Sequence, residues 1–394
     1  MPGFNTGPGK RNAAPAKWPL IPTHNSMKKN APDQVIKYTE PQACINKLLT
    51  RIPAWLAVDD SGADIILSTR IRLARNLSAF AFPSKAGAST LQQVIDAAVA
   101  ACPKLGMLKN AFVLNMTELD EIAEKMLVER RLVSPAFVEA SHPRVAIIDP
   151  DEFFSIMINE EDHLRIQSLQ PGLALQEAWR QISVLDDELS DQLEFAYSSH
   201  FGYLTACPTN TGTGMRASLL VHVPGLSIDQ DTHKLMKKLA TKEITVRGFY
   251  GEGSDAMGNI FQISNQLTLG RTESSILKKL EEMAQKIVEA EQEARERLLF
   301  KQRTLTEDKV FRALGLLQHA RVMSSAELLN HLSMVKLGVE LRVLPAAKAS
   351  FINELILMTQ PAHMQTLQGH KADSAHRDAM RARIVRERFA HASR

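Results

Sequence analysis

The stretch with the densest chemistry is Asn159-Glu160-Glu161-Asp162-His163-Leu164-Arg165. Three carboxylates stand in a row, with a histidine and an arginine close behind. Carboxylates this near one another repel, so they ionise together only where cations or a metal face them. The candidate cations are Arg70, Arg72, Arg165, Arg216 and Arg247, each at a strand end or loop. Glu252 stands between Gly251 and Gly253, which let the backbone fold tightly and aim it. So many guanidiniums exceed the needs of one ion pair. They suit a polyphosphate and a transferring phosphoryl group, whose charge must be neutralised while water is excluded. The carboxylates then fit two tasks. One set holds Mg²⁺ through water; the other orients a cationic nucleophile and takes its proton. A guanidinium is the cation that two opposed carboxylates hold best in one plane.

The elements that must position these groups read as strands with helices between them. Phe153–Ile158 is an apolar run of strand length, and with Val145–Ile148 it flanks the turn Asp149-Pro150-Asp151-Glu152 as a hairpin that delivers the acidic cluster. In Ile65–Asn76, alternation puts Arg70 and Arg72 on one face and Ile71 and Leu73 on the other. Such a pair fits a solvated face or, with Arg75 following, a phosphate cradle. The loop Cys207-Pro208-Thr209-Asn210-Thr211-Gly212-Thr213-Gly214 feeds a strand that begins at Met215-Arg216. Backbone amides of such a loop can wrap phosphate, although no P-loop pattern is present. Cys207 fits a thiol activated by nearby arginines or a small buried one. A further strand over 243–247 enters the Glu252 loop, and 259–267 returns. Helices are expected at 40–56, 89–101, 117–131 and 173–197. From Ile276 onward all signals are helical, with a capping box at Ser324-Ser325-Ala326-Glu327, Gly338 as a stop and Pro361 as an interruption. Hairpins rather than βαβ repeats predict an α+β fold, an antiparallel sheet flanked by helices, plus an all-helical C-terminal domain.

With 394 residues, more than one domain is expected. We expect a disordered extension at 1–37, a catalytic domain at 38–299 and a helical regulatory and dimerisation domain at 300–394. The net charge of +3 gives no global argument for nucleic acid or a membrane. Cys44, Cys102 and Cys207 lack metal-binding spacing, which points to thiols in a reducing, cytoplasmic setting. No apolar run is long enough to span a membrane.

S-T-R-I-R-L-A-R-N, N-E-E-D-H-L-R, C-P-T-N-T-G-T-G-M-R-A-S, R-G-F-Y-G-E-G and R-D-A-M-R-A occur in that order. Together they resemble the phosphagen kinases (ATP:guanidino phosphotransferases), and among them the bacterial protein arginine kinases of the McsB type, from about residue 40 to the C-terminus. Small-molecule phosphagen kinases carry a helical N-terminal domain that has little counterpart here. The resemblance implies ATP-dependent phosphorylation of protein arginine side chains. It makes Glu161 the catalytic base, Glu252 its partner and Cys207 a neighbour of the acceptor guanidinium. It assigns the ATP phosphates to Ser68, Arg70, Arg72, Arg165, Arg216, Ala217, Ser218 and Arg247, and the outer shell of Mg²⁺ to Glu160 and Asp162. Arg131 stands where the family has an adenine-contacting histidine. Arg377, Asp378 and Arg381 correspond to an allosteric phosphoarginine pocket. The implied partners are proteins with exposed arginines, a Clp-type protease, an activating zinc-containing adaptor and a second copy of the chain.

Two other readings are kept. A free-arginine kinase would perform the same chemistry on a small molecule. A catalytically silent module would bind nucleic acid through the basic tail Arg377, Arg381, Arg383, Arg386 and Arg388, although such helical tails are usually just solvated. His376-Arg377-Asp378 imitates the H-R-D of protein kinases without their other motifs.

Overall fold

The computed structural model describes residues 38–56, 65–102, 105–229, 243–248, 257–345 and 349–392. Ten strands are described: β1 Ile66–Arg75, β2 Phe112–Asn115, β3 Val145–Ile148, β4 Phe154–Ile158, β5 Leu164–Pro171, β6 Tyr197–Ser198, β7 Gly202–Tyr203, β8 Met215–His222, β9 Ile244–Gly248 and β10 Ile260–Asn265. The strands are accompanied by helices α1 Pro41–Leu49, α2 Ala88–Ala101, α3 Glu121–Glu129, α4 Pro135–Glu139, α5 Leu175–Ser190, α6 Pro224–Ile228 and α7 Glu273–Lys301. Then come α8 Arg303–His319, α9 Ser325–Glu340, α10 Ala349–Met358, α11 Pro361–Gln368 and α12 Ser374–Ala392. Eight strands form one sheet in the order β2-β3-β4-β5-β1-β8-β10-β9. Every pair in it is antiparallel.

Strand periodicity gives the sheet two different faces. Ile71 and Leu73 of β1, Ile166 of β5, Ala217 and Leu219 of β8 and Ile263 of β10 join one buried cluster with apolar residues of α2, α5 and α7. Among the described residues, apolar clusters cover the opposite face at its two ends. One end packs Ala146, Ile148, Met157 and Leu169 against residues of α1, α3 and α4. At the other, Leu67, Leu220 and Ile260 pack against α8, α9 and α12. Between these caps the same face is polar.

Four boundaries differ from the expectations. The helix expected over 40–56 ends at Leu49, and Ala54–Leu56 form a separate single turn of 3-10 helix beyond Pro53. The helix expected over 117–131 begins at Glu121, because Asp120 accepts the Ala123 N–H and caps it there. The helix expected over 173–197 ends at Ser190. Beyond it Ala196 N–H bonds the Asn76 carbonyl, and the chain becomes β6. The Ser324 capping box is present, but Gly338 does not stop its helix, which runs to Glu340. Gly338 is instead buried against α8, where a Cβ would meet Val310 Cγ1 at 2.4 Å. Strand β2 and the short helices α4 and α6 had no clear periodic signal.

Candidate active site

The acidic cluster forms the turn between β4 and β5. Asn159 enters it with φ of 63°, and its amide donates to the Leu91 and Pro143 carbonyls. The three acids then diverge. Glu160 is buried and pairs with Arg165 at 2.7 Å while accepting the Ser134 hydroxyl. Burial opposes its ionisation, but Arg165 and Ser134 outweigh it and hold its carboxyl below the ordinary value. Asp162 accepts from Asn76 Nδ2 at 2.6 Å and from the Ala206 N–H at 2.7 Å. Its burial raises its pKa against those two donors. Glu161 alone is exposed. Partial desolvation raises its pKa, followed by Asp162 and Glu160, while Arg165 and the Cys207 thiol oppose the shift. The turn therefore presents one carboxylate outward and uses its neighbours to make that one more basic.

Asn76 organises this end of the site. Besides Asp162, its amide reaches the Leu204 carbonyl at 3.1 Å, and its oxygen accepts the His163 N–H at 2.9 Å. His163 is a strut rather than a proton carrier. Its Nδ1 accepts the Leu77 N–H, so Nε2 donates to the Ala81 carbonyl, and burial lowers its pKa.

The loop from Cys207 to Gly214 lies beside the turn. Cys207 Sγ is 3.0 Å from Thr209 Oγ1, and the thiol lies near enough to Glu161 to act against the rise in its pKa. Thr268 Oγ1 ties the loop down through the Thr209 and Thr211 carbonyls, at 2.8 and 2.7 Å. Gly214 has φ of 65°, and a Cβ there would meet the Ala74 carbonyl at 2.6 Å, so the loop's approach to β1 requires glycine.

The polar face of the sheet carries the arginines. In β1, Arg70 lies opposite Ser218 and Arg72 opposite Arg216 of β8. On the other side Arg72 lies opposite Gln167 of β5, with Arg165 two residues along. Arg247 of β9 lies opposite Gln262 of β10. Gln262 Oε1 accepts from both Arg70 (2.9 Å) and Arg131 (2.8 Å). Burial lowers the pKa of Arg70 and Arg72, and the neighbouring guanidiniums lower it further; burial pushes Arg131 down to about 10. The Nε atoms of Arg70 and Arg72 are buried without a hydrogen-bond partner among the described residues. A cavity of about 300 Å³ opens beside Arg216 and Arg247, between the Thr/Gly loop and Thr245 and Thr268. Concentrated positive charge with unspent donors suits a polyanion.

Not every expected residue belongs to this face. Ala217 is fully buried in the opposite core, and its N–H is taken by Asn265 Oδ1 at 2.8 Å, so it cannot contact phosphate. Ser68 and Ser218 lie on the strands of the cradle but are buried, each 2% exposed. Arg75 leaves the cradle altogether: it pairs with Asp186 at 2.7 Å and stacks 3.5 Å above the Tyr203 ring. Glu252 lies outside the described residues. Arg377, Asp378 and Arg381 are on α12. Arg381 is buried, bonded to the Thr359 and Met323 carbonyls and paired with Asp378. Asn76, Ser134 and Gln262 were missed. Gln262 could have been found, because Gln262 and Ser264 alternate with apolar residues in β10. Asn76 and Ser134 act through partners distant in sequence, which no local pattern signals.

Residues 93–294 match the ATP:guanido phosphotransferase C-terminal catalytic domain. Residues 303–394 match the protein-arginine kinase McsB C-terminal domain. A protein-arginine kinase of Halothermothrix orenii is 42% identical over 88% of this chain and 98% of its own length. One from Symbiobacterium thermophilum is 41% identical over 87% and 99%. Among solved structures, the duplicated taurocyamine kinase of Schistosoma mansoni, with bound transition-state analogue components, superposes with a TM-score of 0.54 at 27% identity. That match covers 62% of this chain and only 35% of the duplicated one. The antiparallel sheet and the helical C-terminal region agree with these matches, and the chain belongs to the protein-arginine kinase branch of the ATP:guanido phosphotransferase family.

Proposed function

We propose that the chain transfers the γ-phosphoryl group of ATP to arginine side chains of proteins with Glu161 as the base, and that the single outward carboxylate of the β4–β5 turn carries this reading. The acceptor guanidinium binds against Glu161, with Glu252 as the opposed acid and Cys207 beside it. A guanidinium nitrogen attacks the γ-phosphorus, the bond to the ADP oxygen breaks, and the displaced N–H proton passes to Glu161. A neutral guanidine is a far better nucleophile than a guanidinium. Glu161, made more basic by partial desolvation and by Asp162 and Glu160, is suited to take the proton as the N–P bond forms. Arg70, Arg72, Arg165, Arg216 and Arg247 bind the phosphates and neutralise the charge that develops on them. The unspent Nε atoms of Arg70 and Arg72 support this assignment. Arg131 reaches the nucleotide from the edge of that cluster.

Among the described residues no group of three or more His, Cys, Asp or Glu could hold a metal. Glu160 and Asp162, buried on either side of the outward Glu161, are assigned to the outer shell of a nucleotide-bound Mg²⁺, meeting its waters. When bound, the ion would draw charge from the phosphates.

The setting proposed is the cytoplasm, where phosphoarginine marks proteins for a Clp-type protease and a zinc-containing adaptor activates the kinase. Three free thiols support a reducing compartment, and no helix of the described residues is long and apolar enough to cross a membrane. Exposed Phe300, Leu305, Phe311 and Val322 near the start of the helical region support a homodimer there. The domains proposed are 38–299 for catalysis and 300–394 for regulation, after an extension at 1–37. Incubation with ATP and an unfolded protein should give label that is lost in mild acid and kept in mild base, whereas free arginine should be a poor acceptor. Acid-stable label would show transfer to a hydroxyl, and preference for free arginine would show a small-molecule kinase.

A further inference from the structure

Glu129, the last residue of α3, is followed by Arg130 and Arg131, and each of the three goes a different way. Arg131 turns onto the arginine face and shares Gln262 with Arg70. Arg130 turns inward, 1% exposed, and pairs with Glu152, which is also 1% exposed. Glu129 reaches across to α11. Its two oxygens accept the N–H groups of Ala362 at 2.7 Å and His363 at 2.9 Å. Gln360, at the N-cap of α11, makes no capping bond with its side chain, which donates back to the Ile356 carbonyl. Glu129 therefore caps α11 from another element, and its negative charge meets the positive end of the helix.

His363 closes the ring. Its Nε2 is 3.0 Å from Arg130 Nη1, and its Nδ1 is 3.2 Å from Glu129 Oε2. A guanidinium only donates, so Nε2 must accept, and the ring proton sits on Nδ1 facing the carboxylate. All members of this ring are thereby fixed in orientation as well as position.

We infer that Glu129 and His363 are positioning residues for Arg131, holding the end of α3 so that the next residue is aimed into the phosphate cradle. This rests on the reading of Arg131 as a nucleotide contact. The backbone supports it. Arg131 has φ of 65°, a conformation uncommon for a residue with a Cβ, which persists where the surroundings impose it. They do so from both sides. Upstream, the α11 ring fixes Glu129 and Arg130. Downstream, Gln167 Nε2 holds the Arg131 and Leu132 carbonyls at 2.8 and 3.0 Å. Glu129 and His363 are 234 positions apart, so the ring makes the C-terminal helices part of the nucleotide site without a direct contact to nucleotide.

The test is steady-state kinetics of the full chain with ATP varied, for Arg131→Ala, Glu129→Gln and the double variant. Glu129→Gln keeps the volume and one acceptor. Arg131→Ala should raise KM for ATP about tenfold, and Glu129→Gln about threefold, with kcat and KM for the protein substrate nearly unchanged. Because the ring acts through Arg131, the double variant should be no worse than Arg131→Ala alone. Two effects that multiply, or a Glu129→Gln chain with wild-type KM for ATP, would overturn the inference while leaving the reading of Arg131 intact. An Arg131→Ala chain with unchanged KM would remove that reading and the inference with it. If Glu129→Gln does not fold, His363→Asn serves instead. It keeps a donor for Glu129, loses the acceptor for Arg130, and should raise KM for ATP in the same selective way; an unchanged KM there counts against the ring.

Discussion

Arg72 and Arg216 lie directly opposite each other across the β1–β8 ladder. Like charges so placed repel at the closest side-chain spacing a sheet provides. Burial and the guanidiniums of Arg70, Arg165 and Arg216 all act against the charge on Arg72. The sheet keeps the pair at some cost to folding, which a bound polyanion offsets. Arg72→Gln should therefore stabilise the nucleotide-free protein by about 1 kcal/mol and remove most of the thermal stabilisation by ATP. It should also lower kcat/KM by roughly two orders of magnitude or more. Thermal unfolding with and without ATP checks both halves. A destabilised variant that retained the full ATP shift would mean that Arg72 is structural.

Glu161→Gln should leave the fold intact, because the side chain is exposed and the amide strains nothing. On the mechanism proposed above it removes the base and one side of the guanidinium clamp, a loss of several orders of magnitude in kcat. Circular dichroism and a phosphoryl-transfer assay suffice to check this. Turnover near that of the wild type would move the base elsewhere.

The pH profile distinguishes Glu161 from its neighbours. Its pKa is raised by burial and then by Asp162, so kcat/KM should fall, as pH is lowered, at a pH above the ordinary glutamate range. Asp162→Asn removes the nearest negative charge while its oxygen can still accept from Asn76 and Ala206. The acidic limb should move to lower pH. An unmoved limb would show that another group sets it.

Much of this site was readable in advance, for a physical reason. Strand side chains alternate wherever no bulge intervenes, so Arg70 and Arg72, beyond the irregularity at Ile66–Ser68, share a face opposite Ile71 and Leu73, and the sheet bears that out. What was hidden depends on partners brought together only by folding. Arg75 looked like a third cradle arginine until Asp186, from α5, and Tyr203 captured it. Gly338 looked like a helix stop, but in a helix interior glycine also serves close packing, here against Val310. The link from Glu129 to α11 had no local signal, since a capping acid is normally sought just before its own helix.

Buried His363 makes stability depend on pH. Burial, with Arg130 beside it, lowers its pKa from the ordinary 6.5 despite Glu129. The unfolded chain therefore takes up a proton below about 6.5 that the folded chain refuses. Stability from this residue is fully present above that value and is lost as pH falls toward the folded pKa. His163, lowered by its own burial, acts in the same direction. Midpoints of thermal unfolding should drop between about pH 7 and 5, and less steeply for His363→Gln, which does not titrate. Equal slopes would show that His363 is not among the groups responsible.

The pair Asp378 and Arg381 decides how a phosphoarginine pocket could be built on α12. Residues four apart in a helix share a face, so spacing alone would put the guanidiniums of Arg377 and Arg381 side by side. Arg381 is instead 1% exposed, donating to two carbonyls and to Asp378. It works as a strut that fixes the Asp378 carboxylate, which remains 29% exposed. Arg377 is partly exposed and donates to the Ala372 carbonyl at 2.7 Å, a contact that an anion could displace. Arg377 and Asp378 are then the groups left to meet an activator, one for its phosphoryl oxygens and one for its guanidinium. A site this far from the catalytic acids in the chain alters activity only if it binds one state better than another. Phosphoarginine should activate the wild type at concentrations too low to occupy the active site, and Asp378→Ala should lose that response while keeping basal activity. Arg381→Lys should behave differently. It cannot reproduce the fork of bonds, so it should lower stability by about 2 kcal/mol as well as weaken activation. Activation that survives Asp378→Ala in full would place the activator elsewhere.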